Sequence, residues 1–156
     1  MISNFVIRSY DSADLQAIKK LIDNTIDQCY PLYYQQKVID FFKDYHSLEK
    51  ITERATTGHT IVHEINNEII GTATLLDNYL SSVYVLARYQ KRGIARKLVD
   101  CLISKAGDKE ISQIILDSTP GAVSFYLSMG FTIQEEQIQW IDEIFPLPYI
   151  VMQKVL

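Results

Sequence analysis

The sequence predicts an α/β (α+β) fold, with a mixed, mostly antiparallel central sheet flanked by helices. Three observations carry this. Apolar residues recur at helical spacing up to residue 57, and from Thr60 the pattern changes to a two-residue alternation. Asn66-Asn67 and Asp77-Asn78 then divide consecutive strand-like runs, as tight antiparallel turns do. Finally, a long amphipathic helix separates the strand-like runs at 80–85 and 113–116, which calls for a right-handed parallel crossover.

The elements follow in order. Phe5-Val6-Ile7-Arg8 reads as a first strand. Asp11 or Ser12 offers an N-cap, Asp14 favours the first helical turn, and Leu15, Ile18, Leu21, Ile22, Ile26 and Cys29 form one helix face that Pro31 ends. An aromatic stretch, Tyr30-Pro31-Leu32-Tyr33-Tyr34, leads into a second helix through Val38, Phe41, Phe42 and Tyr45. Ser47 caps a third, carrying Leu48, Ile51 and Ala55, and Gly58 stops it as a C-cap glycine. Strands at 60–65, 68–76 and 80–85 form a meander. A helix carrying Ile94, Leu98, Val99, Leu102 and Ile103 follows, then a buried strand at 113–116. A short helix at 122–129 is closed by Gly130, and strands at 131–140 and 149–154 complete the chain.

Composition narrows the function. The chain has 156 residues, 47% hydrophobic and 22% charged, which is ordinary globular composition. Without a linker or repeat, residues 1–156 are expected to form a single domain. Fifteen Lys plus Arg against 19 Asp plus Glu give a net charge of -4, a poor balance for nucleic-acid binding. Cys29 and Cys101 have no metal-ligand spacing and are expected to be reduced core thiols, so no metal is expected. No basic segment followed by an apolar run opens the chain, and no apolar stretch approaches the ~18 residues of a membrane span. The expected setting is the cytoplasm, with no membrane partner.

The chemistry-bearing segment is Gln90-Lys91-Arg92-Gly93-Ile94-Ala95, between a strand and the first turn of a helix. A helix N-terminus exposes unpaired N–H groups and the positive end of the macrodipole, and Gly93 and Ala95 let a ligand approach that backbone. Together they suit a phosphate or diphosphate. Arg88, Lys91, Arg92, Arg96 and Lys97 crowd the same turn with no acid among them. Neither GxxxxGK[ST] nor GxGxxG occurs.

Thirty residues downstream, Ala122-Val123-Ser124-Phe125-Tyr126-Leu127-Ser128-Met129-Gly130-Phe131 follows a buried strand. Gln-x-x-Gly-x-Ala followed by Ala-x-x-Phe-Tyr-x-x-x-Gly-Phe resembles the GNAT superfamily of N-acetyltransferases, and the order of strands and helices fits along nearly the whole chain. The resemblance implies acetyl-CoA as cosubstrate. Gln90, Lys91, Arg92, Gly93, Ile94, Ala95 and Arg96 would bind its diphosphate. Val83-Tyr84-Val85 would pair with the pantetheine arm as an added strand, with an amide near Val85 meeting the thioester oxygen. Tyr126 would protonate the departing thiolate, and Ser118 would contact the pantetheine. The acceptor is expected to be a small-molecule or peptide amine, in a pocket lined by residues 30–45 and by the loop 140–148. A homodimer is possible for proteins of this kind.

The strand at 80–85 lacks a carboxylate to serve as general base. His46, His59, His63, Glu49 and Glu64 are candidates by residue type, His46 lying nearest the aromatic segment, and no base is assigned. The alternative function is a non-catalytic acyl-CoA-binding regulatory module. A nucleic-acid binder using the basic loop is disfavoured by the acidic total.

Overall fold

The computed structural model describes residues 4–156. Seven strands form one sheet in the order β1-β2-β3-β4-β5-β7-β6. β1 (Phe5–Ser9), β2 (His59–Ile65), β3 (Glu68–Leu76) and β4 (Tyr79–Val85) form an antiparallel half. β5 (Gln113–Ser118), β7 (Phe145–Val155) and β6 (Thr132–Ile141) form a second antiparallel set. The halves meet in parallel through a single register pair, Tyr79 with Ile115, reinforced by the Ile115 N–H donating to the Asn78 carbonyl at 2.9 Å.

Helices cover both faces. On one, Leu98, Val99, Leu102 and Ala106 of α4 (Ile94–Asp108) pack on Ile61, Ile70, Ala73, Leu75, Ile114 and Leu116. On the other, Ile18, Ile22 and Ile26 of α1 (Leu15–Cys29) join Val38 and Ile39 of α2 (Gln36–Tyr45) and Ile51 of α3 (Leu48–Thr57) over Val62 and Tyr84. Burying each large aliphatic side chain contributes ~1.5–3 kcal/mol. The 3-10 turn Ser12–Asp14 that leads into α1 is closed by a capping box between Asp11 and Asp14, and Arg8 of β1 grips both carboxylate oxygens of Asp14 at 2.8 and 2.9 Å. That anchor sets where the far end of α1, Cys29 and the following Tyr30, reaches the site. α5 (Val123–Ser128) is a short helix after β5.

The observed elements refine the sequence reading in four places. Asn66 and Asn67 both take positive φ, as the hairpin requires. Gly58 is extended rather than left-handed, and glycine is needed because a Cβ would lie 2.7 Å from the Leu75 carbonyl. β7 begins at Phe145 and runs through Pro146 and Pro148. Within β7, only residues 150–155 pair with β5, so the two prolines occupy a stretch with one partner strand, where the missing N–H costs nothing. Residues 140–148 are therefore a hairpin rather than a loop. The cysteines are not core thiols: Cys101 is exposed on the outer side of α4, and Cys29 is half-buried at a cleft.

Candidate active site

The site begins with a defect in β4. Ser82 has φ of 56°, and the β3–β4 register shifts between Thr72 and Thr74. This bulge inserts one residue, so side-chain parity changes along the strand. Leu80, Val83 and Val85 all face the α4 side, while Tyr84 faces the α1–α2 side. Past Tyr79 the strand has no partner on its β5 side.

The free edge has a defined polarity. The Leu86 N–H donates to the Ile70 carbonyl, making that pair a hydrogen-bonded one, so the neighbouring Gly71–Val85 pair turns its backbone groups outward. The Val85 carbonyl is occupied by the Gln90 amide at 2.9 Å. The Val85 N–H is thus directed into the opening between β4 and β5. Gln90 ties the loop to the strand end and also lies 3.6 Å from the Cys29 sulfur.

The loop then enters α4 with two residues in the left-handed region, Lys91 at 62° and Gly93 at 81°. A Cβ on Gly93 would meet nothing within 4 Å, so its φ rather than crowding calls for glycine. The basic side chains divide. Lys91 and Arg96 line the cleft, and Arg96 also donates to the Ser128 hydroxyl at 2.8 Å, tying α4 to α5. Arg88 pairs with Glu68, Arg92 lies over the Tyr89 ring at 5.4 Å, and Lys97 lies over Phe5 at 5.9 Å. Of the residues 90–96 expected to bind the diphosphate, only Arg92 stays off the cleft wall.

Two cavities result. A cleft of about 1090 Å³ runs between the end of α1, the loop entering α4, the edge Val83–Val85 and the turn into α5. A pocket of about 280 Å³ lies beyond it, between α2, β4, β5 and the β6–β7 hairpin. They share Tyr30, Val83, Tyr84, Thr119, Ala122 and Tyr126 as a common wall. Ser118, buried with its hydroxyl donating to the Thr119 carbonyl, lines the pocket rather than the cleft.

Tyr126 stands where the cavities join. Its ring packs edge-on against Phe125 and Phe131, and burial raises its phenol above the ordinary value, so it keeps its proton. Beside it runs a hydrogen-bonded chain that the sequence reading lacked. The Arg54 guanidinium reaches His46 Nδ1 at 2.8 Å, His46 Nε2 reaches the Tyr84 hydroxyl at 3.0 Å, and Tyr30 donates to Tyr84 at 3.1 Å. A guanidinium only donates, so Nδ1 accepts and the imidazole proton sits on Nε2. Burial, with Arg54 and Lys19 nearby, lowers His46 to about 3. A neutral ring occupied at both nitrogens orients Tyr84 and is not a base. His59, His63, Glu49 and Glu64 line neither cavity.

Of the region expected to wall the acceptor pocket, Tyr30, Tyr34, Phe41, Phe42 and Tyr45 do so, with Leu147 from the hairpin, while Tyr33 faces the cleft and Trp140 lines neither. Tyr79 and Asp117 also line the pocket, the Tyr79 hydroxyl donating to Asp117 at 2.8 Å. Among the described residues no group of three or more His, Cys, Asp or Glu converges as a metal site, and no helix is long and apolar enough to cross a membrane.

Comparison with known proteins bears on the family and the fold. Residues 29–147 match the family model of the acetyltransferase (GNAT) domain. The chain is 22% identical over 138 residues to the uncharacterized N-acetyltransferase YafP of Escherichia coli K12, covering 88% of each. A GCN5-related N-acetyltransferase structure from Rhodopseudomonas palustris superposes with a TM-score of 0.89 at 19% identity, covering 100% of this chain and 99% of that one. The PaiA N-acetyltransferase of Thermoplasma acidophilum, solved with coenzyme A, gives 0.82 at 16% identity, covering 98% and 99%.

Proposed function

Since this chain belongs to the GNAT acetyltransferase family, whose acetyl donor is acetyl-CoA, we propose that it acetylates a primary amine by direct attack, with both substrates held at once. The observation that carries this reading is the junction of the two cavities at Tyr126, beside the outward-turned Val85 N–H. Residues 1–156 act as one catalytic domain on a small-molecule or peptide amine.

In this reading the backbone of residues 90–95, with Lys91 and Arg96, binds the diphosphate at the start of α4. The unpaired edge Val83-Tyr84-Val85 takes the pantetheine arm as an added strand. The Val85 N–H meets the charge that builds on the thioester oxygen, a donor worth ~3 kcal/mol when fixed in advance. The amine attacks in its neutral form; as the new C–N bond forms and the C–S bond breaks, the Tyr126 hydroxyl gives its proton to the leaving sulfur, and the surplus proton of the attacking nitrogen passes to solvent water, from which Tyr126 is reprotonated. Its raised value favours a hydrogen bond that strengthens as charge grows on the sulfur over early transfer. Tyr84, held by His46 and Tyr30, keeps the shared wall in register.

Initial-rate kinetics test the order of events. Acetyl-CoA and amine varied together should give intersecting double-reciprocal lines, and mass spectrometry should find no acetyl adduct on the protein. Parallel lines together with an acetylated residue would overturn direct attack.

A further inference from the structure

The pocket beyond Tyr126 has a chemistry of its own, and its occupant follows from it. Nine of its twenty lining residues are Tyr or Phe, which present rings and hydroxyls together. Among the described residues no Lys or Arg lines it, and Asp117 is its one carboxylate. Asp117 is exposed, while Tyr84 and Tyr126 at the inner end are buried, so the negative charge sits at the mouth and the apolar wall lies within. The Tyr79 hydroxyl holds Asp117 Oδ2, which leaves Oδ1 open to a cation. At about 280 Å³ the pocket is at the small end of small-molecule sites.

We propose that this pocket takes a compact primary amine with an aromatic or branched apolar body and no carboxylate, and that the Asp117–Tyr79 pair is its charge-selecting lip. The proposal rests on the acetyltransferase reading above and narrows its acceptor. The body of such an amine fills the ring-lined wall, where aromatic contacts add to area burial. An ammonium is drawn to Asp117 on entry. A carboxylated acceptor would bring a second negative charge to a pocket with no cation to pair it, and an unpaired carboxylate removed from water is heavily penalised. A peptide would have to leave its backbone outside so small a volume.

The test uses the full chain and a matched series: phenethylamine, phenylalaninamide, phenylalanine and an alanine-rich peptide. Coenzyme A binding is measured first by calorimetry, then amine binding to that complex by tyrosine fluorescence, then acetyl transfer as thiol release. Phenethylamine should exceed phenylalanine by about 100-fold in kcat/KM, with phenylalaninamide close to phenethylamine, because the rejected group is the carboxylate. Asp117→Asn should raise KM for phenethylamine about tenfold, more than it changes kcat, and should shrink the penalty on phenylalanine. If coenzyme A binds and phenylalanine or the peptide is acetylated as well as phenethylamine, the acceptor assignment falls while acetyl transfer stands. It also falls if coenzyme A binds but neither phenethylamine nor phenylalaninamide does. Failure of coenzyme A itself to bind would overturn the underlying acetyltransferase reading.

Discussion

The cleft and the pocket share one wall at Tyr30, Tyr84 and Tyr126, yet they are built from different materials. The cleft is made of short continuous stretches, and beside its side chains it offers main-chain groups: the Val85 N–H, the amides entering α4, and the bare backbone at Gly93. The pocket is made of side chains drawn from helices, strands and a hairpin far apart in the sequence. A site built of main chain holds its ligand as long as the backbone keeps its course. A site built of side chains changes its preference with single substitutions. One fold can therefore keep one donor while its acceptor varies.

The sharpest test of this division falls on the shared wall. Tyr126→Phe should lower kcat by ~10²–10⁴ and leave coenzyme A affinity unchanged by calorimetry; unchanged turnover would remove Tyr126 from the chemistry. Gly93→Val should act on the cleft alone. It forces a β-branched residue into the left-handed region at a cost of ~1–2 kcal/mol and turns a side chain toward the proposed diphosphate seat, so KM for acetyl-CoA should rise about tenfold. An equal rise in KM for the amine would break the separation of the two cavities.

His46 sharpens the comparison from the pocket side. It stands at about 3 in the fold against 6.5 ordinarily. Between those values the unfolded chain binds a proton that the folded chain excludes, so stability falls as pH drops from 6.5 towards 3, by at most ~1.4 kcal/mol per pH unit. Asp14, held below the ordinary carboxylate value chiefly by its bond to Arg8, adds loss at the acid end of that range. Urea unfolding at pH 7 and pH 4.5 should show a smaller acid loss for His46→Gln than for the parent, and equal losses would mean His46 is not excluded from protonation. The smallest effect is expected at Ser82→Gly. Relief of the positive φ outweighs the added freedom of the unfolded chain by ~0.5 kcal/mol. A measured destabilisation would show that the bulge is not strained.

These materials also explain what was legible beforehand. The turn into α4 needs residues that tolerate positive φ and close approach, and such demands leave a short continuous pattern, Gln90 to Ala95, that can be read directly. The same holds for the α1 and α3 caps at Asp11 and Ser47. The pocket beyond Tyr126 leaves no such trace. Asp117 and Tyr79 lie 38 positions apart and meet only because β4 and β5 join at Tyr79 and Ile115. The bulge at Ser82 has no mark in a run of ordinary strand residues, yet it decides which way Tyr84 points. His46 was visible as a residue type, but its neutrality comes first from burial and then from Arg54 one helix later. The fate of Arg92 likewise depended on a ring, Tyr89, that its position in the motif does not reveal.

The join at Tyr79 and Ile115 has a mechanical consequence. No further ladder bond crosses from β4 to β5, so the protein is two leaves hinged at one corner. Elsewhere they are held by the apolar face of α4 and by contacts such as Tyr34 to the Pro148 carbonyl and Arg96 to Ser128. Amide exchange should divide along that line, with β5, β6 and β7 opening as a unit apart from β1 to β4. A thiol-bearing nucleotide lodged between the leaves would staple them, slowing exchange across both at once.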